Sequence, residues 1–174
     1  MLKFQQTADC KTHFASLYAK KTIQLNGKKL TNLFSMGELS KLESIYAAYN
    51  DIKELVELEK LKNLKILDIS HNQVTDLKPL GELSKLSYLN LSYNTSIESM
   101  YPVKTLKNLT HLYVSRLGST HWDVIGELSQ LKVLHANASF QTDVSYMETL
   151  HNLKRLYLSS NNITDVSKIF ALTK

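Results

Sequence analysis

The sequence predicts a curved α/β repeat solenoid with a parallel sheet on its concave side and short helical or 3₁₀ returns on its convex side. Three observations support this fold class. Near-identical phrases recur every 22 or 23 residues. Within each phrase, leucines alternate with variable residues over a short strand-like segment. An asparagine follows most of these segments, where the chain must turn. The phrases open at Leu39, Leu61, Leu83, Leu106, Leu128 and Leu150, with a fainter copy from Leu17.

Length and composition fit one globular domain over residues 1–174, with an N-terminal cap at about 1–16 and about seven repeats over 17–174. No run of 18 apolar residues is present, so we expect no transmembrane segment. The first residues, Met1–Thr7, have no apolar core of a signal peptide. The single cysteine, Cys10, favours a reducing compartment. The predicted location is therefore cytoplasmic, or outside the cell after export without a cleavable signal peptide, as for an effector.

The first element along the chain is a predicted capping helix from roughly Thr7 to Lys20. Cys10, Phe14 and Leu17 are spaced i, i+4 and i+7, which places them on one helix face. A solenoid needs its terminal core covered, and this face would cover the first repeat. Cys10 is then a buried structural thiol rather than a nucleophile.

Each repeat is predicted to form a strand, a turn and a return. In the strand, the leucines enter the core and the residues between them face outward. The turn asparagine binds neighbouring backbone groups through its amide. We expect these amides to stack into a ladder formed by Asn50, Asn72, Asn94 and Asn161. The returns, such as Thr75–Leu80 and Thr164–Val166, leave room only for a short helix or a 3₁₀ turn.

These columns, L-x-x-L-x-L-x-x-N-x-I/L, resemble the bacterial 22-residue class of leucine-rich repeat found in internalins and in related phosphatase-regulator solenoids. The resemblance covers about residues 17–172. It implies a leucine-rich-repeat horseshoe that serves as a protein-binding scaffold. It does not imply internalin activity, because the internalin secretion signal and the following immunoglobulin-like domain have no counterpart in the sequence.

Two regions depart from the pattern. In residues 106–149, Leu117 and Ser139 replace the turn asparagine, and Ala136 replaces a leucine. One interpretation is drift tolerated by repeat redundancy, and the other is a local distortion that displays Trp122 on the rim or convex side. At the C-terminal end no polar capping unit follows the last repeat. Either more repeats follow in a parent protein, or Ile169, Phe170 and Leu172 shield the last strand. An uncovered edge would permit oligomerisation.

Signatures of catalysis are missing from the sequence, so we expect no enzymatic activity, no cofactor and no metal. The G-x-S-x-G, H-E-x-x-H, Walker and C-x-x-C patterns do not occur. The segment Asn26–Lys29 is read as a lysine-containing turn, because the other P-loop residues are missing. A metal site formed by His71, His111 and His135 is disfavoured because these residues fall in different repeat columns.

The variable positions of the predicted strands have the composition of a protein interface. They hold six of the nine tyrosines and three of the six histidines, and no lysine or glutamate. We expect Tyr113, His135 and Tyr157 to form one stripe, beside Tyr88, His111 and Arg155. Cross-strand stacking with a purely structural role is the alternative. The predicted partner-binding residues are Tyr46, Tyr49, Asp68, His71, Tyr88, Tyr93, His111, Tyr113, Arg116, His135, Arg155 and Tyr157.

The predicted function is a protein–protein interaction scaffold, such as a bacterial effector or adhesin module. One alternative is a cytosolic regulatory subunit of an enzyme such as a phosphatase. Another is a nucleic-acid-binding module, which the formal charge of +5 and the stackable tyrosines favour. Against nucleic acid, lysines such as Lys41, Lys62 and Lys85 fall on the side remote from the aromatic residues.

Overall fold

The computed structural model describes residues 18–170. Seven three-residue strands alternate with six 3₁₀ helices. The strands are β1 (Thr22–Gln24), β2 (Ser44–Tyr46), β3 (Ile66–Asp68), β4 (Tyr88–Asn90), β5 (His111–Tyr113), β6 (Val133–His135) and β7 (Arg155–Tyr157). The 3₁₀ helices span Met36–Glu38, Leu58–Lys60, Lys78–Glu82, Tyr101–Thr105, Trp122–Glu127 and Ser145–Thr149. The predicted capping helix, with Cys10 and Phe14, lies almost entirely outside the described residues.

The seven strands form one open, fully parallel sheet in sequence order from β1 to β7. Equivalent repeat positions pair throughout, as in Leu67 opposite Leu89 and Leu112 opposite Leu134. The predicted parallel sheet and short 3₁₀ returns are therefore confirmed. No helix among residues 18–170 is long and apolar enough to cross a membrane.

The core lies between the sheet and the 3₁₀ helices. The central residue of each strand points into it, and from Ile45 to Leu134 these side chains have no exposed surface. The leucines that open the phrases from Leu39 to Leu150 are also buried. Each lies directly after a 3₁₀ helix, where the chain turns back towards the next strand. Each repeat thus buries its apolar face against its neighbours, and the core runs the length of the solenoid.

The predicted asparagine ladder is present. The Asn50 amide group donates to the Leu25, Ala47 and Ala48 carbonyls at 2.9–3.1 Å, and its Oδ1 accepts from two backbone N–H groups of the preceding turn. Asn72, Asn94 and Asn161 repeat the pattern. The ladder satisfies backbone groups that the turns would otherwise leave unpaired in the core.

In the two irregular repeats, other contacts replace the hydrogen bonds of the missing turn asparagine, and the architecture is kept. Leu117 fills the turn position with a fully buried side chain, and the Ile97 N–H donates instead to the Asn94 carbonyl at 3.2 Å. One repeat later, the Ser139 hydroxyl donates to the Val114 carbonyl at 2.9 Å. The ladder is therefore interrupted, but the strands before and after it stay in register.

The display of Trp122 at the surface is a wrong prediction. Trp122 is 8% exposed and belongs to the apolar core, and its indole N–H donates to the Ser119 carbonyl at 2.7 Å. It begins the six-residue 3₁₀ helix Trp122–Glu127, which is the longest of the six. The local distortion makes room for a large side chain inside the core. The residue displayed in this region is Phe140, which is 76% exposed.

The last repeat is covered less than the others. Leu153, Leu156 and Leu158 are only partly buried, although they pack against the core. Ile169 packs beside them, whereas Phe170 is 68% exposed. Leu172, the third residue predicted to shield this strand, lies outside the described residues.

Candidate binding face

The outer face of the sheet carries the variable residues of the repeats. The first and third residues of each strand point outward. The next residue enters the core, and the two residues after it continue the outer surface. We call this surface the binding face. Its residues are Thr22, Gln24, Asn26, Gly27, Ser44, Tyr46, Ala48, Tyr49, Ile66, Asp68, Ser70, His71, Tyr88, Asn90, Ser92, Tyr93, His111, Tyr113, Ser115, Arg116, Val133, His135, Asn137, Ala138, Arg155, Tyr157, Ser159 and Ser160.

A first row of stacked rings crosses the strands at the third strand position. Tyr113 and His135 stack with ring centroids 4.6 Å apart, and His135 and Tyr157 stack at 3.8 Å. Tyr88, at the first position of β4, packs against the end of this row at 5.2 Å from Tyr113, in a tilted arrangement. We call these four residues the strand stack. Parallel register places equivalent side chains side by side, so the predicted stripe is present in the structure.

A second row lies where the strands give way to the turns. His71 is stacked between Tyr49 and Tyr93, with centroid distances of 4.2 and 4.0 Å. The Arg116 guanidinium continues the row, 5.6 Å from the centre of the Tyr93 ring. We call these four residues the turn stack. The sequence analysis selected each of them but did not predict that they stack on one another.

Backbone conformation aligns the turn stack. All four residues adopt the left-handed region, with φ between 53° and 63°. This conformation is unfavourable for side chains other than glycine, and here it recurs in the turn after each of these strands, including that of Arg116, where Leu117 replaces the asparagine. Because the backbone angles repeat, the side chains leave the turns in one direction. The signal in the sequence was that these four residues occupy the same position in four successive repeats.

Small, mostly polar residues form the floor of an open groove between the two stacks. The floor is made of Asn26, Ala48, Ser70, Ser92, Ser115, Asn137 and Ser159. The groove has a volume of about 660 Å³. Several floor side chains accept a hydrogen bond from the next repeat, as when the Ser115 N–H donates to the Ser92 Oγ at 3.2 Å.

The other predicted site residues lie at the margins of the stacks. Tyr46 and Asp68 occupy the third strand position in β2 and β3, and an Asp68 oxygen accepts from both the N–H and the hydroxyl of Ser70. His111 lies beside Tyr88 with centroids 6.2 Å apart. Arg155 is in the same column, but Val133 separates it from His111.

The face differs in charge from the rest of the surface. Elsewhere the basic side chains are lysines, and some of them pair with carboxylates, as in Lys62 with Glu82 at 3.0 Å and Lys107 with Glu127 at 2.9 Å. Neither Arg116 nor Arg155 has a carboxylate within 4 Å in the described part of the chain. The arginines of the binding face are therefore available to a ligand.

Burial shifts the pKa of two side chains in the strand stack. It raises the pKa of Tyr88 to about 12, with smaller contributions from Asp68 and the neighbouring tyrosines. It also lowers the pKa of His135, and the positive charge of Arg155 acts in the same direction. The ring of His135 is therefore neutral at pH 7, which suits its position between two tyrosine rings.

Within residues 18–170, no three His, Cys, Asp or Glu side chains converge in a way that could hold a metal ion. His71 is enclosed by the turn stack and His135 by the strand stack. Their ring faces are thus occupied by tyrosines. The chemistry that this face offers is ring stacking, hydrogen bonding and two guanidinium groups.

Comparison with known proteins agrees with this architecture. A family model described as leucine-rich repeats in two copies matches residues 40–82 and 63–102, and a single leucine-rich-repeat model matches 149–167. No curated protein matches the chain.

Similar solved structures include two internalins. Internalin C2 from Listeria monocytogenes is 26% identical, with a TM-score of 0.73 over 91% of this chain and 80% of that protein. Another internalin from Listeria monocytogenes, InlF, is 28% identical, with a TM-score of 0.65 over 84% of this chain and half of that protein. The plant peptide hormone receptor RGFR1, solved in complex with RGF2, shares the fold at 21% identity, with a TM-score of 0.68 over 80% of this chain and 24% of the receptor chain.

Proposed function

Because the chain is a leucine-rich-repeat protein with internalin-like repeats, we propose that it is a protein-interaction scaffold that holds a partner protein on its binding face. The observation that carries this proposal is the pair of aromatic stacks on either side of a polar groove. Tyr49 is 63% exposed, Tyr93 42% and Tyr157 41%. Large rings held in place yet open to solvent are the residues that contribute most at protein interfaces.

Pre-organisation supports a binding role. A ring fixed by its neighbours loses little side-chain entropy when a partner covers it. Here the parallel register holds Tyr113, His135 and Tyr157 side by side, and a repeated backbone conformation holds each member of the turn stack. A structural neighbour with the same fold, the plant peptide hormone receptor RGFR1, was solved in complex with RGF2, so a scaffold of this type can hold a ligand.

The experiment compares capture of partner proteins from candidate host and native lysates by the parent chain and by Tyr113→Ala/Tyr157→Ala. These changes remove two rings of the strand stack, each expected to contribute about 2 kcal/mol or more if it is an interface hot spot. A protein retained by the parent and lost with the double variant supports the proposal.

A matched control is Phe34→Ala/Tyr101→Ala, which removes two aromatic residues that are about half exposed and lie off the binding face. It should retain the partner. Unfolding curves of all three proteins separate binding from structural stacking. If the Tyr113/Tyr157 variant loses stability but captures the same proteins as the parent, the stacks are structural and the proposal is wrong.

A further inference from the structure

The charges of the binding face point to the chemistry of its partner. Arg116 ends the turn stack, and Arg155 begins β7 on the other side of the strand stack. Neither guanidinium has a carboxylate within 4 Å among residues 18–170, and they are the only two basic side chains of the binding face in this part of the chain. A guanidinium presents five donors in a planar fork that matches a carboxylate.

The position of these arginines relative to the rings sets a pattern. Tyr113, His135 and Tyr157 occupy the third strand position, between the first position of Arg155 and the turn position of Arg116. A ring of the partner that rests on the strand stack therefore has an arginine on each side. The complementary segment carries an aromatic residue flanked by carboxylates.

The negative charge on the face lies at the other end. Asp68 is on β3, two strands before β5, and one of its oxygens is engaged by Ser70. An acidic segment is thus attracted by the β5–β7 end and repelled near β3. This asymmetry fixes the direction in which a partner segment lies across the strands.

We propose that the β5–β7 end of the binding face binds an acidic polypeptide segment in which an aromatic residue is flanked by Asp or Glu. The inference rests on the proposed function, because it names the partner chemistry of the same face. Nucleic acid fits this end less well, because a duplex or single strand needs a track of many cations. The face offers two arginines and no lysine.

The test uses a labelled random copolymer of glutamate and tyrosine as the probe, with binding followed by fluorescence anisotropy. The parent chain is compared with Arg116→Gln/Arg155→Gln, which leaves a shorter polar side chain at each position and removes both charges. The matched control is Lys41→Gln/Lys85→Gln, which removes the same charge off the face from two lysines that form no ion pair in the described structure.

We expect the arginine variant to bind the copolymer about tenfold or more weakly, and the lysine control to stay within about threefold of the parent. Affinity should fall as salt is added, because the contacts are charged. Equal losses in the two variants would show attraction by net charge alone and overturn the proposal. So would equally tight binding of polyglutamate, which has no rings, or of oligothymidylate.

The two proposals fail separately. If Arg116→Gln/Arg155→Gln still captures a partner that Tyr113→Ala/Tyr157→Ala loses, the scaffold function stands and the acidic-segment inference falls. If the copolymer binds as expected but no protein is captured by the parent chain and lost with Tyr113→Ala/Tyr157→Ala, the charge chemistry is right and the scaffold function is wrong.

Discussion

Replacement of Asn72 by alanine tests the asparagine ladder at a buried position with ladder asparagines in the repeats on both sides. Asn72 is 7% exposed and makes four hydrogen bonds with the backbone. Its amide nitrogen donates to the Ala47, Ile69 and Ser70 carbonyls at 2.9, 3.0 and 3.1 Å. Its Oδ1 accepts from the Ile52 N–H at 2.9 Å. Alanine removes all four bonds and fits the site without a clash.

The expected loss follows from which groups keep a partner. The Ala47 carbonyl retains the donation from Asn50, and the Ile69 carbonyl retains that from Asn94. Each lost donation to such a satisfied acceptor costs about 0.5 kcal/mol, at the low end of the range. The Ile52 N–H is fully buried and left without an acceptor, at a cost of about 1–3 kcal/mol. The Ser70 carbonyl keeps the Tyr49 N–H, so the three lost donations cost about 1.5 kcal/mol together. The free energy of unfolding should therefore fall by about 2.5–4.5 kcal/mol.

Urea unfolding followed by tryptophan fluorescence measures this loss, because Trp122 is the single tryptophan and is buried. Circular dichroism should give the same midpoint if unfolding is two-state. Asn72→Ser is the control, because Ser139 occupies the equivalent position and its hydroxyl still donates to a carbonyl. Serine should cost less than alanine. A loss below about 1 kcal/mol for alanine, or equal losses for the two variants, would refute the reasoning.

Three further outcomes are expected. Gly126→Ala should lose about 1–3 kcal/mol of stability, because the added Cβ would lie 2.5 Å from the Tyr146 carbonyl oxygen. Gly118→Ala is the control and should be near neutral, because no atom lies within 4 Å of its added Cβ. Thermal unfolding of the two variants compares these effects. Hydrogen bonds from two lysines lower the pKa of Glu43 to about 2. The ionised carboxylate therefore stabilises the fold above pH 4.5, and this stabilisation is lost as the pH falls from 4.5 towards 2. Glu43→Gln should show a smaller loss of stability over this range when unfolding is measured as a function of pH. The lowered pKa of His135 means that the unfolded chain takes up the proton more readily, so stability should fall as pH drops below 6.5, and less so in His135→Asn; unchanged slopes would contradict the pKa directions.

The repeat pattern was sufficient to predict the strands, their register and the asparagine ladder. A period of 22 or 23 residues permits one parallel arrangement in which equivalent leucines meet, so the sheet follows from the spacing alone. The stripe of Tyr113, His135 and Tyr157 followed from the same register. Whether these residues bind a partner stays a prediction, because composition identifies a favourable surface and not its ligand.

The irregular repeats were harder to predict, for a physical reason. Leu117 and Ser139 change the hydrogen bonds of the turns, and the position of Trp122 depends on the space that these changes leave in the core. Packing volume is a property of several repeats together and is not visible in one column. The turn stack was missed for a related reason, since side chains in left-handed backbone do not follow the alternation of a strand.

The left-handed backbone of the turn stack has a consequence for how this protein tolerates mutation. Tyr49, His71, Tyr93 and Arg116 occupy positions where glycine removes a conformational cost of about 1–2 kcal/mol per residue. The greater freedom of glycine in the unfolded chain offsets part of that gain. A library varied at Tyr49 and Tyr93 and sorted for thermal stability alone should therefore enrich glycine and asparagine and discard the aromatic rings. Optimising this scaffold for stability and preserving its binding face are opposing selections at the same sites.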